Sequence, residues 1–106
     1  MHDRIIDVAA PLNGESVTAM SAALHQRLAA GMFDHFLDLS RLATLDSAAL
    51  GALIRALRSA REVGASVSLI VPSPQVHRIL EITALTRVFK VHRSRWAAVD
   101  ALRAAA

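Results

Sequence analysis

The chain has 106 residues, the size of one domain, and an apolar share of 54% that is ample for one core. Its net charge of +3 is modest, and with one tryptophan, three phenylalanines and no tyrosine it has few rings to stack on bases, which argues against direct nucleic-acid binding. Cysteine is absent, so disulfides and thiolate metal sites are excluded. No apolar run is long enough to cross a bilayer, and Met1-His2-Asp3-Arg4 lacks the apolar segment of a signal peptide, which points to the cytoplasm and to no membrane insertion.

Arg4 to Ala9 reads as a first strand, followed by a turn at Asn13-Gly14. A helix follows from about Ser16 to Ala30, with Val17, Met20, Leu24 and Leu28 as its apolar stripe and Gly31 at its end. The second strand spans Phe33 to Leu39. Phe33, Leu37 and Leu39 lie on one alternating set and Phe36 on the other, as in a central parallel strand covered on both faces. A polar connector leads to a helix from Ser47 or Ala48 to Val63, with Leu50, Leu53, Ile54 and Leu57 as its stripe. Ser66 to Val71 is a third strand. Ser73 caps a helix that has Pro74 at its first position, carries Val76, Ile79 and Leu80, and ends near Thr83 or Leu85. Val88 to Val91 is a fourth strand, and Ser94 caps a last helix with Trp96, Val99 and Leu102 facing inward. The order β-α-β-α-β-α-β-α predicts one α/β domain over residues 1–106, with a mostly parallel sheet and right-handed crossovers.

Enzymatic motifs are missing. The five histidines, His2, His25, His35, His77 and His92, show no metal-ligand spacing, and His25 and His77 fall on exposed helix faces. There is no Walker loop, no GxGxxG and no G-x-S-x-G elbow. The chain is expected to have no catalytic residue, no cofactor and no metal.

One stretch carries a signal. Asp38-Leu39-Ser40 ends a strand, and Leu45-Asp46-Ser47 opens a helix that continues through Leu50-Gly51. From the residues alone, Ser47 is either a helix cap or a place for phosphate, since free backbone amides and the positive end of the helix dipole meet there. Asp46 either positions that hydroxyl or recruits a modifying enzyme, or it only favours the dipole.

These residues resemble the signature of STAS domains, and among them most closely the bacterial anti-sigma-factor antagonists: D-L-S, a short connector, then D-S-(S/T)-G-L-G entering a helix. Ala48 and Ala49 stand where that pattern has Ser or Thr and then Gly. The likeness runs on through Pro74 to Leu85, which ends in Thr83-Ala84-Leu85 where the family has a "tGL" step, and then Val88-Phe89. The resemblance implies a STAS-type fold with a mostly parallel or mixed sheet of four to five strands and about four helices. It implies partner switching to regulate transcription. The unphosphorylated form binds an anti-sigma factor that is also a serine kinase, phosphorylation of Ser47 releases it, and a PP2C-type phosphatase resets the cycle. Asp46, Ser40, Thr44, Ala48, Leu50 and Gly51 are the expected partner-binding surface, with Gly51 also letting the helix lie close to a strand. Two other roles are compatible with the resemblance: a STAS subunit that binds the ATPase of a lipid-transport ABC complex, and a stressosome-like scaffold. Arg55, Arg58 and Arg61 recur at every third residue, as a solvated helix face or as a surface for an acidic partner.

Overall fold

The computed structural model describes residues 4–105. Met1 to Asp3, including His2 and most of the segment read for a leader, lie outside the described residues. The elements are β1 (Ile5–Asp7), α1 (Gly14–Ala29), β2 (Asp34–Asp38), α2 (Ser47–Glu62), β3 (Ser66–Ile70), α3 (Pro74–Ile82), β4 (Val91–His92) and α4 (Arg95–Ala105), with a 3-10 turn over Leu85–Arg87.

The sheet is parallel throughout, and its spatial order β1-β2-β3-β4 is the chain order. Each crossover therefore steps in the same direction, and one common hand places α1, α2 and α3 on a single face. The main core lies there, where Leu37, Val67 and Leu69 of the sheet meet Met20, Leu24, Leu53, Val76 and Leu80 of the helices. The opposite face is left to α4, which covers Phe36 and Ile70 with Ala98, flanked by Ile5 and Leu102. Phe36 and Leu37 thus point to different layers, as the pattern of β2 predicts. All four helix N-termini follow strands, so they gather at the C-terminal edge of the sheet, where open α/β sheets place their sites.

Local chemistry sets the helix starts. Asn13 is the N-cap of α1, and its backbone N–H donates to Ser16 Oγ at 2.9 Å. The Asn13-Gly14 signal is therefore a helix entry, and α1 begins before the expected Ser16. Ser73 accepts from the Val76 N–H at 3.3 Å with Pro74 at the first helical position, and Ser94 accepts from the Ala97 N–H at 3.0 Å, both as predicted.

Three expectations need correction. The buried stripe of α2 is Ala49, Ala52, Leu53, Ala56, Leu57 and Ala60, a clean i, i+3, i+4 series made largely of alanine. Small side chains let the helix sit low on the sheet, and this rotation carries Ile54 outward to 37% exposure. Close approach thus comes from the alanines and not from Gly51, where an added Cβ would meet only Arg55 Nη1, at 3.3 Å. Next, the fourth strand is Val91–His92 and not Val88 to Val91. Phe89 N–H donates to Leu85 O at 3.0 Å and Val88 N–H to the same oxygen at 3.1 Å, so a turn takes donors that a longer strand would have offered to β3. Finally, Trp96 does not face inward but is 77% exposed.

The rotation of α4 has an electrostatic cause. Asp7 and Asp38 are register partners on adjacent strands, so two like charges stand side by side. Arg95, at the first turn of α4, bridges them: Nε donates to Asp38 Oδ2 at 2.6 Å and Nη2 donates to Asp7 Oδ1. Positions 95, 98 and 102 share one helix face, so the same rotation that brings Arg95 over the carboxylates seats Ala98 and Leu102 on the sheet and turns Trp96 away. Burial pushes the Asp38 carboxyl up, but the hydrogen bonds from Ser40 and Arg95 outweigh it and hold the group below its ordinary 3.8. A carboxyl lowered in the fold contributes stability above its unfolded value, and that contribution is lost as pH falls through the native value.

Arg95→Met should destabilise the domain at pH 7 by on the order of 1 kcal/mol, a figure discounted because Arg95 is half-exposed. The gap from wild type should narrow in urea melts as pH falls through the lowered native value of Asp38. Ala84, between α3 and the 3-10 turn, has φ +61°, in the left-handed region. Replacing a strained alanine there by glycine relieves roughly 1 kcal/mol, so Ala84→Gly should raise the melting temperature.

Candidate functional site

The connector from β2 to α2 runs over residues 39–46 and is pinned from beneath. Leu39 N–H extends the sheet by donating to Ile70 O at 2.9 Å, and Leu42 N–H donates to Leu39 O at 3.0 Å. Leu39, Leu42 and Leu45 are all buried. The connector is therefore a chain of core anchors with polar residues between them, and Ser40 and Thr44 are left exposed at the surface.

Asp38, the strand end of the D-L-S triplet, is 3% exposed. It accepts the Ser40 N–H on Oδ1 at 2.9 Å and Arg95 on Oδ2. One carboxylate thus shapes the first turn of the connector and also holds α4. Asp46 then caps α2, with Oδ1 accepting the Ala49 N–H at 2.8 Å. The cap is Asp46 and not Ser47, because the backbone is still extended at Asp46 and turns helical at Ser47, which makes Asp46 the N-cap residue.

With the cap supplied by its neighbour, Ser47 is the first residue of α2 and is exposed. Its hydroxyl makes no hydrogen bond among the described residues. No base contacts it, so the geometry presents an acceptor rather than an activated nucleophile. Ala48 is exposed beside it, whereas Ala49 is buried with its amide already used. The position where the family pattern has glycine therefore faces the core of this domain. Leu50 is half-buried against the core, and Gly51 is half-buried one turn beyond Ser47. The structure thus brings Asp46, Ser47 and Ala48 together at the exposed mouth of α2, with Thr44 and Ser40 on the loop that feeds it and Leu50 and Gly51 behind.

The histidines take no part in this site. His35 is buried, its Nε2 pairs with Met32 O at 2.7 Å, and its Nδ1 has no partner. Burial holds His35 below its usual 6.5, so the ring is neutral at pH 7 and Nε2 is the donor. His77 is half-buried and lies 3.2 Å from Glu81, while His25 is exposed. His92 packs edge-on against Phe36. Among the described residues no three histidines or carboxylates converge as metal ligands, and no helix is long and apolar enough to cross a membrane. Sequence reading missed Arg95 altogether, because only the fold brings it across 57 positions to Asp38.

Comparisons with known proteins bear on this geometry. A protein of Thermotoga neapolitana, named "Putative anti-sigma factor antagonist TM1081 homolog", is 34% identical over 70 residues, covering 58% of this chain and 62% of its own length. A "Putative anti-sigma factor antagonist" of Thermotoga maritima is 32% identical over 68 residues, covering 64% of this chain and 60% of its own. The chain thus spans less than two thirds of the length of these curated relatives. The crystal structure of a protein of the same name from Thermotoga maritima superposes with a TM-score of 0.77 at 26% identity, covering 97% of this chain and 91% of that one. The family model described as "Mlab, STAS domain" matches residues 2–92, from before β1 through β4, and so the chain belongs to the STAS domain family.

Proposed function

We propose that this protein is an anti-sigma-factor antagonist of the cytoplasm that regulates transcription by partner switching, through binding and without catalysis of its own. Unphosphorylated, it binds an anti-sigma factor that is also a serine kinase. Phosphorylation of Ser47 releases that partner, and a PP2C-type phosphatase restores the binding form. The observation that carries this reading is the exposed, unbonded hydroxyl of Ser47 beside Asp46 at the mouth of α2. The names of the curated relatives support it, and they favour it over the transporter-subunit and scaffold readings.

The physics suits a switch. A phosphate adds about −1.5 to −2 charges at pH 7. Placed beside Asp46 inside a fitted interface, that charge is repelled and poorly solvated. Within the free domain the same phosphate meets the positive end of α2, which tolerates it. The modification therefore acts on the interface far more than on the fold.

Incubation with the cognate anti-sigma kinase and ATP should add one phosphate at Ser47, read by mass spectrometry. Ser47→Asp should weaken partner binding roughly a hundredfold, since opposed like charges in an interface cost several kcal/mol, while Ser47→Ala should bind and resist modification. An unmodified Ser47, together with wild-type affinity in the Asp variant, would sink the reading. The role of Asp46 separates from its cap: Asp46→Ala should cost about 1 kcal/mol of stability, whereas Asp46→Asn keeps an equally good cap and should leave stability unchanged. A slower phosphorylation of Asp46→Asn at unchanged melting temperature would assign Asp46 to kinase recognition.

A further inference from the structure

The outward face of α2 does not end at the switch. Ser47, Gly51, Ile54, Arg58 and Arg61 follow at i, i+4, i+7, i+11 and i+14, a single stripe pointing away from the buried alanines. Its far end borders a groove of about 460 Å³ between α2 and the 3-10 turn. Ile54, Leu57, Leu85 and Val88 line its apolar floor, and Arg58, Arg61 and Glu62 its rim. Ile54 and Val88 are 37% and 43% exposed, although both are aliphatic. Leu57, Arg61 and Val88 also line an adjoining cleft of about 260 Å³, which reaches Lys90 and the half of β3 that lies before its pairing with β4.

Charge identifies what fits. Arg58 and Arg61 have no ion pair among the described residues, nor have the exposed Arg55, Arg87 and Lys90 nearby. Glu62 is the one acid lining the groove. Arginine stems pack along apolar surface while their heads stay wet. An aliphatic floor with unpaired guanidinium groups on its rim suits a chain carrying aliphatic and acidic residues together. A nucleic acid suits it poorly, because no aromatic ring lines the groove to stack a base.

We propose that the groove between the C-terminal half of α2 and the 3-10 turn is a second docking surface, which takes an acidic protein segment with aliphatic anchors. Its centre near Arg58 and Arg61 lies about 16–21 Å from Ser47 along the helix, at about 1.5 Å per residue. That exceeds the screening length of about 8 Å at physiological salt. The groove therefore holds its segment whether or not Ser47 is phosphorylated, and it stands independently of the switch.

The test uses the full chain, labelled with ¹⁵N, and a synthetic peptide with glutamate and leucine at helical spacing. A lysine-for-glutamate version and oligo-dT serve as the competing probes. Amide shifts caused by the acidic peptide should centre on Ile54, Arg58, Arg61 and Val88, and its affinity should fall as salt rises. The double variant Arg58→Glu/Arg61→Glu should keep its melting temperature and bind at least about tenfold more weakly, as two reversed ion pairs require. Val88→Ser should weaken binding without altering its salt dependence, and Ser47→Asp should leave binding unchanged. The proposal is overturned if the acidic peptide gives no shifts at these residues, if the lysine peptide gives the same ones, or if oligo-dT occupies the groove more tightly. Equal binding by the charge-reversed variant overturns it as well.

Discussion

The seating of α2 on the sheet through its alanine face is the constraint on which the rest depends. Ala49, Ala52, Ala56 and Ala60 bring the helix axis low, and Leu53 and Leu57 fill the space beside them. A helix has one rotational setting that buries such a stripe, and every other position follows from it. Ser47 and Ala48 turn to solvent at one end, and Ile54, Arg58 and Arg61 at the other. The proposed switch and the proposed groove are two ends of one exposed ridge, created by the same packing.

The second constraint is ionic, and it joins the two faces of the sheet. Asp38 is a buried carboxylate placed beside a second one, Asp7, an arrangement that costs stability unless a cation intervenes. Arg95 supplies it from the far end of the chain, and in doing so sets the rotation of α4. The same carboxylate orders the turn at Ser40 that leads into the connector. The strand-end aspartate of the family motif is thus a structural hub beneath the site. Ser47 lies one loop away, carried on a connector whose buried leucines leave it little freedom to shift.

Much of the fold was legible in the sequence because the relevant signals are local. Ser73 before Pro74, and Ser94 before Arg95, mark helix starts through hydrogen bonds three residues long. Alternation in β2 marks a strand covered twice. Strict β-α order with short links implies a parallel sheet. The motif around Asp46-Ser47 was legible too, although which of the two residues caps the helix was not. Both can accept an amide hydrogen bond, and the choice depends on where the backbone turns helical.

What the sequence by itself determined was the set of elements, their order, the parallel sheet and the strand-to-helix junction that carries Ser47. Those rest on hydrogen bonds and periodicities spanning a few residues. Only the tertiary structure decided how each helix is turned about its own axis. Alanine carries almost no hydrophobic signal, so the stripe that packs α2 was hidden behind the leucines and Ile54. The exposure of Trp96 was hidden likewise, because it follows from an arginine meeting two carboxylates far away in the chain. Rotation is a property of the partner surface as much as of the helix, and that surface exists only once the sheet has formed.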